Sequence, residues 1–568
     1  MKRTLRLLVL ALSVGGFQSA TAQKQSYIES LNTPNKWVDS VFRKMSKKEK
    51  IAQMFFVRAH TNLSKQYQDS VGRVIKKEKL GGVVFFQGGP GRQLDLTSKY
   101  QSYAKVPLLI SSDGEWGLGM RLDSTVSFPY QMTLGAIQDD KLLYKMGLEV
   151  ARQFKRVGMQ FNLAPVADVN NNAKNPVINF RSFGEDKINV TKKVGAYMQG
   201  MQDGGIMVSL KHFPGHGDTD VDSHYDLPLL GFSKERLDSL ELYPFKELIK
   251  QGAAGVMIAH MNIPSLDNTP NLPSTLSRPI VTGLLKEKLG FKGLIITDAM
   301  NMKGVAKFYK DGEAELRAAA AGNDIMELAN DSKIAVKKIR KAMRKGQISK
   351  DQIYASIKKI LLAKYWTGLT DRTVPSSANV VSDLNNEISQ SLIDEMASAS
   401  ITVLKGKEYI SGLSKSAPTV ILSIGSNTET PFQAGLKSHF TNASLLNLNL
   451  NATANDIANL VGQLKSENQL IISIHDTRSR PGNNLPMSKE VVQFINEQVQ
   501  KNVVITLFAN PYNLAAFNEI EKSKGLIVAY QKEEFMQRAV VKYLTGKSTA
   551  NGKLPVTVTP TLKFGAGE

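Results

Sequence analysis

Gly255-Val256-Met257-Ile258-Ala259-His260, Gly293-Leu294-Ile295-Ile296-Thr297-Asp298 and Asp324-Ile325-Met326-Glu327-Leu328 repeat one pattern: a short apolar run with a polar side chain at or near its end. Runs this short, without alternating polar positions, read as strands buried on both faces. Working outward, Ile51 to Val57, Gly81 to Phe86, Pro107 to Ser111, Gln160 to Pro165 and Met207 to His212 behave similarly, and longer amphipathic or polar stretches separate them all. Eight such runs with intervening helical patterns predict a (β/α)₈ barrel. Asp113, Asp168, His212, His260, Asp298 and Glu327 then fall at strand ends. In a barrel those ends share one face, where active sites are built.

After Leu362 the strand signals pause, and Thr373-Val374-Pro375-Ser376-Ser377-Ala378-Asn379 reads as a linker. A second series follows at Thr419 to Ile424, Ser444 to Leu448, Leu470 to Ile474, Val503 to Phe508 and Leu526 to Ala529, with helical patterns such as Asp456 to Leu464 and Lys489 to Val499 between. It predicts an open, doubly wound α/β domain. Leu554 to Val558 reads as a final edge strand. Gly546-Lys547-Ser548 matches the end of a phosphate loop, but Val541 stands where that motif needs glycine, so Gly546 reads as a helix cap. The expected division is a signal peptide over 1–22, a barrel over 23–370, a linker over 371–395 and the α/β domain over 396–568.

The signal peptide rests on Lys2, Arg3 and Arg6 ahead of Leu7 to Leu12, with Ala20-Thr21-Ala22 before the expected cleavage at Gln23. No other stretch approaches the roughly 18 consecutive apolar residues of a membrane span. The expectation is a periplasmic protein without an integral membrane segment. The absence of cysteine excludes disulfides and thiolate metal sites. The formal charge is +21, but the lysines are scattered in pairs such as Lys47-Lys48 and Lys337-Lys338, without a basic tract or interleaved aromatics. That argues against a nucleic-acid partner and for a solvated basic surface, with attraction to acidic wall material second.

The densest chemical signal is Lys211-His212-Phe213-Pro214-Gly215-His216-Gly217-Asp218-Thr219-Asp220-Val221-Asp222-Ser223-His224. Two readings compete. His212, His216 and His224 with the nearby aspartates have the donor types of a zinc or other divalent metal site, as in a barrel metallohydrolase. Alternatively, Asp222 orients the His224 imidazole and raises its proton affinity for acid/base work near neutral pH. Spacing alone leaves both open. A noncatalytic wall-binding protein, gripping acidic glycans through its basic surface, is a third reading from a different class.

The same string resembles the signature of family 3 glycoside hydrolases, specifically the NagZ-like β-N-acetylglucosaminidases. The resemblance implies that His224 is the general acid/base, with Asp222 as its partner. It also makes Asp298, in Ile296-Thr297-Asp298-Ala299-Met300, the nucleophile of a retaining exo-hydrolase. Asp113 and Arg121, around Ser112-Asp113-Gly114-Glu115-Trp116-Gly117, resemble family residues that hold sugar hydroxyls; so do Arg181 in Asn179-Phe180-Arg181-Ser182-Phe183-Gly184, Lys211 and His212. The implied substrate is a glycan ending in β-linked N-acetylglucosamine, such as a peptidoglycan fragment, and no metal or organic cofactor is required. A phosphorylase acting on the same sugar and a β-glucosidase remain as alternatives within the family. His60, His260 and Glu327 are candidates for the pocket wall.

Overall fold

The computed structural model describes residues 25–464, 469–479, 481–482 and 484–568. The expected signal peptide lies outside the described residues. The apolar runs of the first half become short parallel strands: β1 (Phe55–Ala59), β2 (Gly82–Phe85), β3 (Leu109–Ser112), β4 (Phe161–Asn162), β5 (Met207–Val208), β6 (Leu210–Phe213), β7 (Gly255–Ile258), β8 (Leu294–Thr297) and β9 (Met326–Glu327). Two sheets, ordered β5-β4-β3-β2-β1-β9 and β6-β7-β8, are joined by parallel bridges Val166 to Lys211 and Ile296 to Ile325. The ring is therefore closed and parallel throughout, which bears out the expected barrel. Phe56, Val84, Phe161, Met207, Leu294 and Ile296 are buried in one cluster at its centre.

Two details differ from the sequence reading. The fifth run is split at Ser209, whose N–H turns to the carbonyls of Asn162 and Ala164 at 3.0 and 3.2 Å. The first strand starts late because Ser46 and Glu49 form a capping box that commits Lys47–Ala52, including Ile51, to a helix. The intervening helices begin on side-chain caps such as Ser64, Asp139 and Asp186.

The second domain is one sheet ordered β10-β15-β14-β13-β11-β12. Its strands are β10 (Thr402–Lys405), β11 (Thr419–Ile424), β12 (Ala443–Leu448), β13 (Gln469–His475), β14 (Val503–Phe508) and β15 (Gly525–Val528). All neighbours are parallel except β10, which runs antiparallel to β15. The sequence reading missed β10 because it follows helix Glu387–Ser400 with no turn residue between beyond Ile401. Gly546 has φ 72° just beyond helix Glu534–Leu544, as a cap requires.

The stretch 371–395 is not open chain. It contains helix Val380–Leu384 and the opening turns of Glu387–Ser400, and it is pinned to the barrel where Arg156 pairs with Asp383 at 2.7 Å. Leu554 to Val558 is likewise no strand of the sheet. It runs back to the barrel, where Glu185 N–H donates to the Pro555 carbonyl at 3.1 Å and Lys553 N–H to that of Ala136 at 2.9 Å. Met132 and Ala136 of the barrel sit in the same apolar cluster as Val420, Ile472 and Leu507 of the second domain. The two domains therefore share a core face.

Helices Asp140–Arg156 and Lys187–Asp203 flank β4 and touch backbone to backbone at two glycines. A Cβ on Gly200 would lie 2.2 Å from the Tyr144 carbonyl oxygen, and one on Gly147 2.5 Å from that of Tyr197. Gly200→Ala is therefore expected to force the helices apart and to cost at least about 1–3 kcal/mol, read as a lower urea midpoint. Gly283→Ala, where the added carbon meets nothing within 4 Å, is the control and should leave the midpoint unchanged or raise it.

Candidate active site

Asp113 follows β3, Lys211 and His212 lie in β6, Asp298 follows β8 and Glu327 ends β9. All of them sit at the C-terminal rim of the ring. Lys211 Nζ, with its side chain 2% exposed, lies 2.8 Å from Asp113 Oδ1 and 2.8 Å from Glu115 Oε1. Arg121 bonds the other Asp113 oxygen. Arg181 grips Glu115 with Nε and Nη2 at 3.0 and 2.7 Å, and its Nη1 donates to the Val177 carbonyl at 3.2 Å. Three of the five guanidinium N–H groups are thus spent, leaving two for a ligand.

Burial opposes ionisation of both carboxyls, yet the surrounding cations win. Lys211 and Arg121 hold Asp113 far below the usual carboxylate range, and Arg181 and Lys211 lower Glu115 to about 2. Reciprocally, burial works against the Lys211 ammonium, but Asp113 and Glu115 keep it charged. Glu115 was not singled out from sequence. Its signal was there: three cations assigned to one pocket need more counter-charge than Asp113 supplies.

Asp168 organises the second half of the rim from a fully buried position. It accepts the N–H groups of His212 and His216 at 3.1 and 2.7 Å and faces His212 Nδ1 at 2.7 Å. The His212 ring is fixed with Nε2 left for a ligand. His216 is buried, its ring nitrogens bonded to Thr219 Oγ1 at 2.8 Å and Ser223 Oγ at 3.2 Å. Burial and the neighbouring His212 lower it to about 4, so it is a neutral staple of the loop. The three imidazoles of the metal reading are therefore committed separately, to Asp168, to Thr219 with Ser223, and to Asp222.

Asp222 and His224 form a compact unit, with Asp222 Oδ1 accepting from His224 N–H at 2.8 Å and lying 2.7 Å from Nδ1. The His224 side chain remains 60% exposed. Asp298 accepts from Ala299 N–H at 2.7 Å. Burial raises its proton affinity, but His260, His212, the Ala299 amide and His224 together lower it, so Asp298 is a carboxylate. His224 thus acts electrostatically on Asp298. His260 supports that wall, with Nδ1 2.6 Å from Thr275 Oγ1 and Nε2 3.1 Å from the Ala299 carbonyl. His60 stacks on Phe86 at 5.3 Å, while Arg58 and Arg121 lie 4.7 and 4.8 Å from the same ring.

The second domain reaches the site through the loop that carries Arg181. Asn510 bonds the Asn179 side chain, and Tyr512 OH accepts from Asn170 Nδ2 at 3.1 Å. Asn170 in turn accepts the Asn179 N–H at 3.0 Å. Trp116, Tyr130 and Phe180 cluster beside them, with ring centres 4.8 to 6.0 Å apart. The sequence left the second domain without a role; the structure makes it the clamp on the Arg181 loop.

Glu115→Gln leaves Lys211 and Arg181 short of a buried counter-charge and is expected to cost about 3–5 kcal/mol of stability, read by thermal or denaturant unfolding. Because the folded value of Glu115, about 2, lies below its value of ~4.3 in an unfolded chain, its stabilisation is complete above that value. It is lost as pH falls toward 2. The acid-side slope of stability between those values should be shallower in Glu115→Gln than in the wild type.

Residues 46–363 match the glycosyl hydrolase family 3 N-terminal domain and residues 328–564 its C-terminal domain. Beta-hexosaminidase A of Pseudoalteromonas piscicida is 29% identical over 86% of this chain and 91% of its own. The beta-N-acetylglucosaminidase/beta-glucosidase of Cellulomonas fimi is 24% identical over 92% and 95%. Among solved structures, the family 3 beta-N-acetylglucosaminidase of a Paenibacillus species superposes with a TM-score of 0.75 at 28% identity, covering 91% of this chain and 99% of that one. With both domains matched in order and the rim built as described, the chain belongs to glycoside hydrolase family 3.

Proposed function

We propose that this chain is a retaining exo-β-N-acetylglucosaminidase with Asp298 as nucleophile and His224, held by Asp222, as general acid/base. The observation that carries the reading is the Asp222–His224 unit on the barrel's own loop, within electrostatic reach of the Asp298 carboxylate. The names of the Pseudoalteromonas and Paenibacillus relatives support the acetamido sugar.

Glycoside cleavage needs a proton for the departing oxygen and electron density at the anomeric carbon. Asp298 Oδ2, the oxygen not bonded to Ala299, attacks that carbon as its bond to the leaving oxygen breaks. The leaving oxygen takes the proton from His224 Nε2. Asp222, bonded at Nδ1, fixes the ring and its orientation. In the second half, neutral His224 takes a proton from water, the water oxygen bonds the anomeric carbon and Asp298 departs. Two displacements return the original configuration. Asp113, Arg121, Lys211, His212 and the free edge of Arg181 hold the sugar, and their pre-set geometry contributes through orientation.

Peptidoglycan fragments are the proposed substrate class, on two supports. The N-terminal sequence has the pattern of an export signal, which fits a periplasmic enzyme, and the basic balance of +21 suits anionic wall material. No helix among the described residues is long and apolar enough to cross a membrane.

The test compares p-nitrophenyl β-N-acetylglucosaminide with the β-glucoside, with and without phosphate or a chelator. The acetamido sugar should be preferred and released as free β-anomer, with no stimulation by phosphate and no loss with the chelator. Asp298→Asn is expected to lower kcat by about four orders of magnitude. In kcat/KM, which reports the first step, His224→Ala should cost about 10²–10⁴-fold on an oligosaccharide but far less on the nitrophenyl substrate, whose leaving group departs without a proton, while kcat on the latter falls because the second step lacks its base. Preference for the glucoside, or equal losses on both leaving groups, would overturn the assignment.

A further inference from the structure

Glu327 is a buried titratable group at the rim that the mechanism does not use. It ends β9, in register with Phe56 of β1. Its N–H donates to Thr297 Oγ1 at 3.1 Å, and its carbonyl accepts from Met300 N–H at 2.9 Å. Its backbone is therefore tied to residues on both sides of Asp298. The residue is 4% exposed, yet Oε1 is buried with no hydrogen-bond partner among the described residues. An orphaned buried acceptor is destabilising, a penalty that a site accepts when a ligand completes it.

Those ties seat Glu327 beside Asp298, and Asp113, Asp298 and Lys211, all three of the pocket, act on its carboxyl electrostatically. Lys211 is already shared between Asp113 and Glu115 and has no close bond with Glu327. Burial and the two neighbouring carboxylates push Glu327 well above the usual carboxylate range, so it is the neutral acid with an O–H to donate. Asp113 and Asp298, as carboxylates, only accept. A sugar hydroxyl between them can donate to a carboxylate and needs a donor for its own oxygen.

We propose that Glu327 is a further substrate-binding residue that hydrogen-bonds a hydroxyl of the sugar seated over Asp298, on the side of the ring facing Asp113. The inference rests on the reading of Asp298 and Asp113 as the sugar site. It makes Glu327 a specificity determinant, since a partner lacking that hydroxyl leaves the buried acid unsatisfied.

The experiment measures kcat/KM of wild type, Glu327→Gln and Glu327→Leu on p-nitrophenyl β-N-acetylglucosaminide and its 3-, 4- and 6-deoxy analogues, with urea unfolding of each protein. Glu327→Leu should lose about 10- to 100-fold on the parent sugar. Its unfolding midpoint should equal or exceed that of the wild type, because the orphaned acid is gone. Glu327→Gln, which keeps a donor, should stay within about five-fold. On one deoxy analogue the wild type and Glu327→Leu should converge, and that analogue identifies the hydroxyl. If the wild type is active but Glu327→Leu matches it on the parent, or keeps one constant penalty across all four sugars, this inference alone is overturned. If the wild type fails to turn over the acetamido sugar at all, the underlying functional reading falls and takes the inference with it.

Discussion

Lys211 carries its ammonium into a nearly dry position between Asp113 and Glu115, and the rest of the rim is arranged so that this charge can exist there. Removing an ion from water costs several kcal/mol after relaxation, and the cost is recovered only when geometry and partners are complete. Here they are: Arg121 completes Asp113, and Arg181 completes Glu115 through two N–H groups. The three cations Lys211, Arg121 and Arg181 are balanced by Asp113, Glu115 and Asp298, provided Glu327 stays neutral. The same balance explains how four carboxyl groups coexist at one pocket. Two are salt-bridged, one remains a carboxylate free to act on a substrate, and one keeps its proton.

Rigidity falls off from this network toward the acid/base loop. Asp168 ties β6 to the start of the loop through three bonds from His212 and His216, and His216 carries the order as far as Ser223. On the same loop Val221, Tyr225 and Leu229 are exposed, and among the described residues the Asp222 contact alone fixes the His224 ring. A nucleophile on a strand end and a proton donor on an exposed loop suit the two tasks. The first needs a set position; the second must exchange protons with incoming water. The second domain contributes from the opposite side, stiffening the Arg181 loop through Asn510 and Tyr512.

The barrel was legible because a parallel strand buried on both faces leaves a short, continuous apolar run, as Leu294–Thr297 shows. Boundaries were less so: Ile51 and Ala52 are as apolar as a strand, but the Ser46 and Glu49 capping box decided for helix. The polar strand ends marked the rim correctly. What the sequence could not convey was pairing across it. Glu115 and Asp168 were visible residues with no visible partners, since their cations and amides come from segments 40 to 100 residues away. The metal reading persisted for the same reason. Spacing brings His212, His216 and His224 near in sequence, while the fold assigns each ring a different partner.

The central claim, that Asp298 attacks and His224 serves both half-reactions, is tested most directly by intact and peptide mass spectrometry of His224→Ala mixed with p-nitrophenyl β-N-acetylglucosaminide. The activated leaving group lets the first step proceed, whereas the second lacks its base. The expected result is a protein heavier by one N-acetylglucosaminyl group, carried on the peptide that contains Asp298 and absent when Asp298→Asn is added. An adduct on another carboxylate, or turnover with inverted configuration and no adduct, would contradict the account.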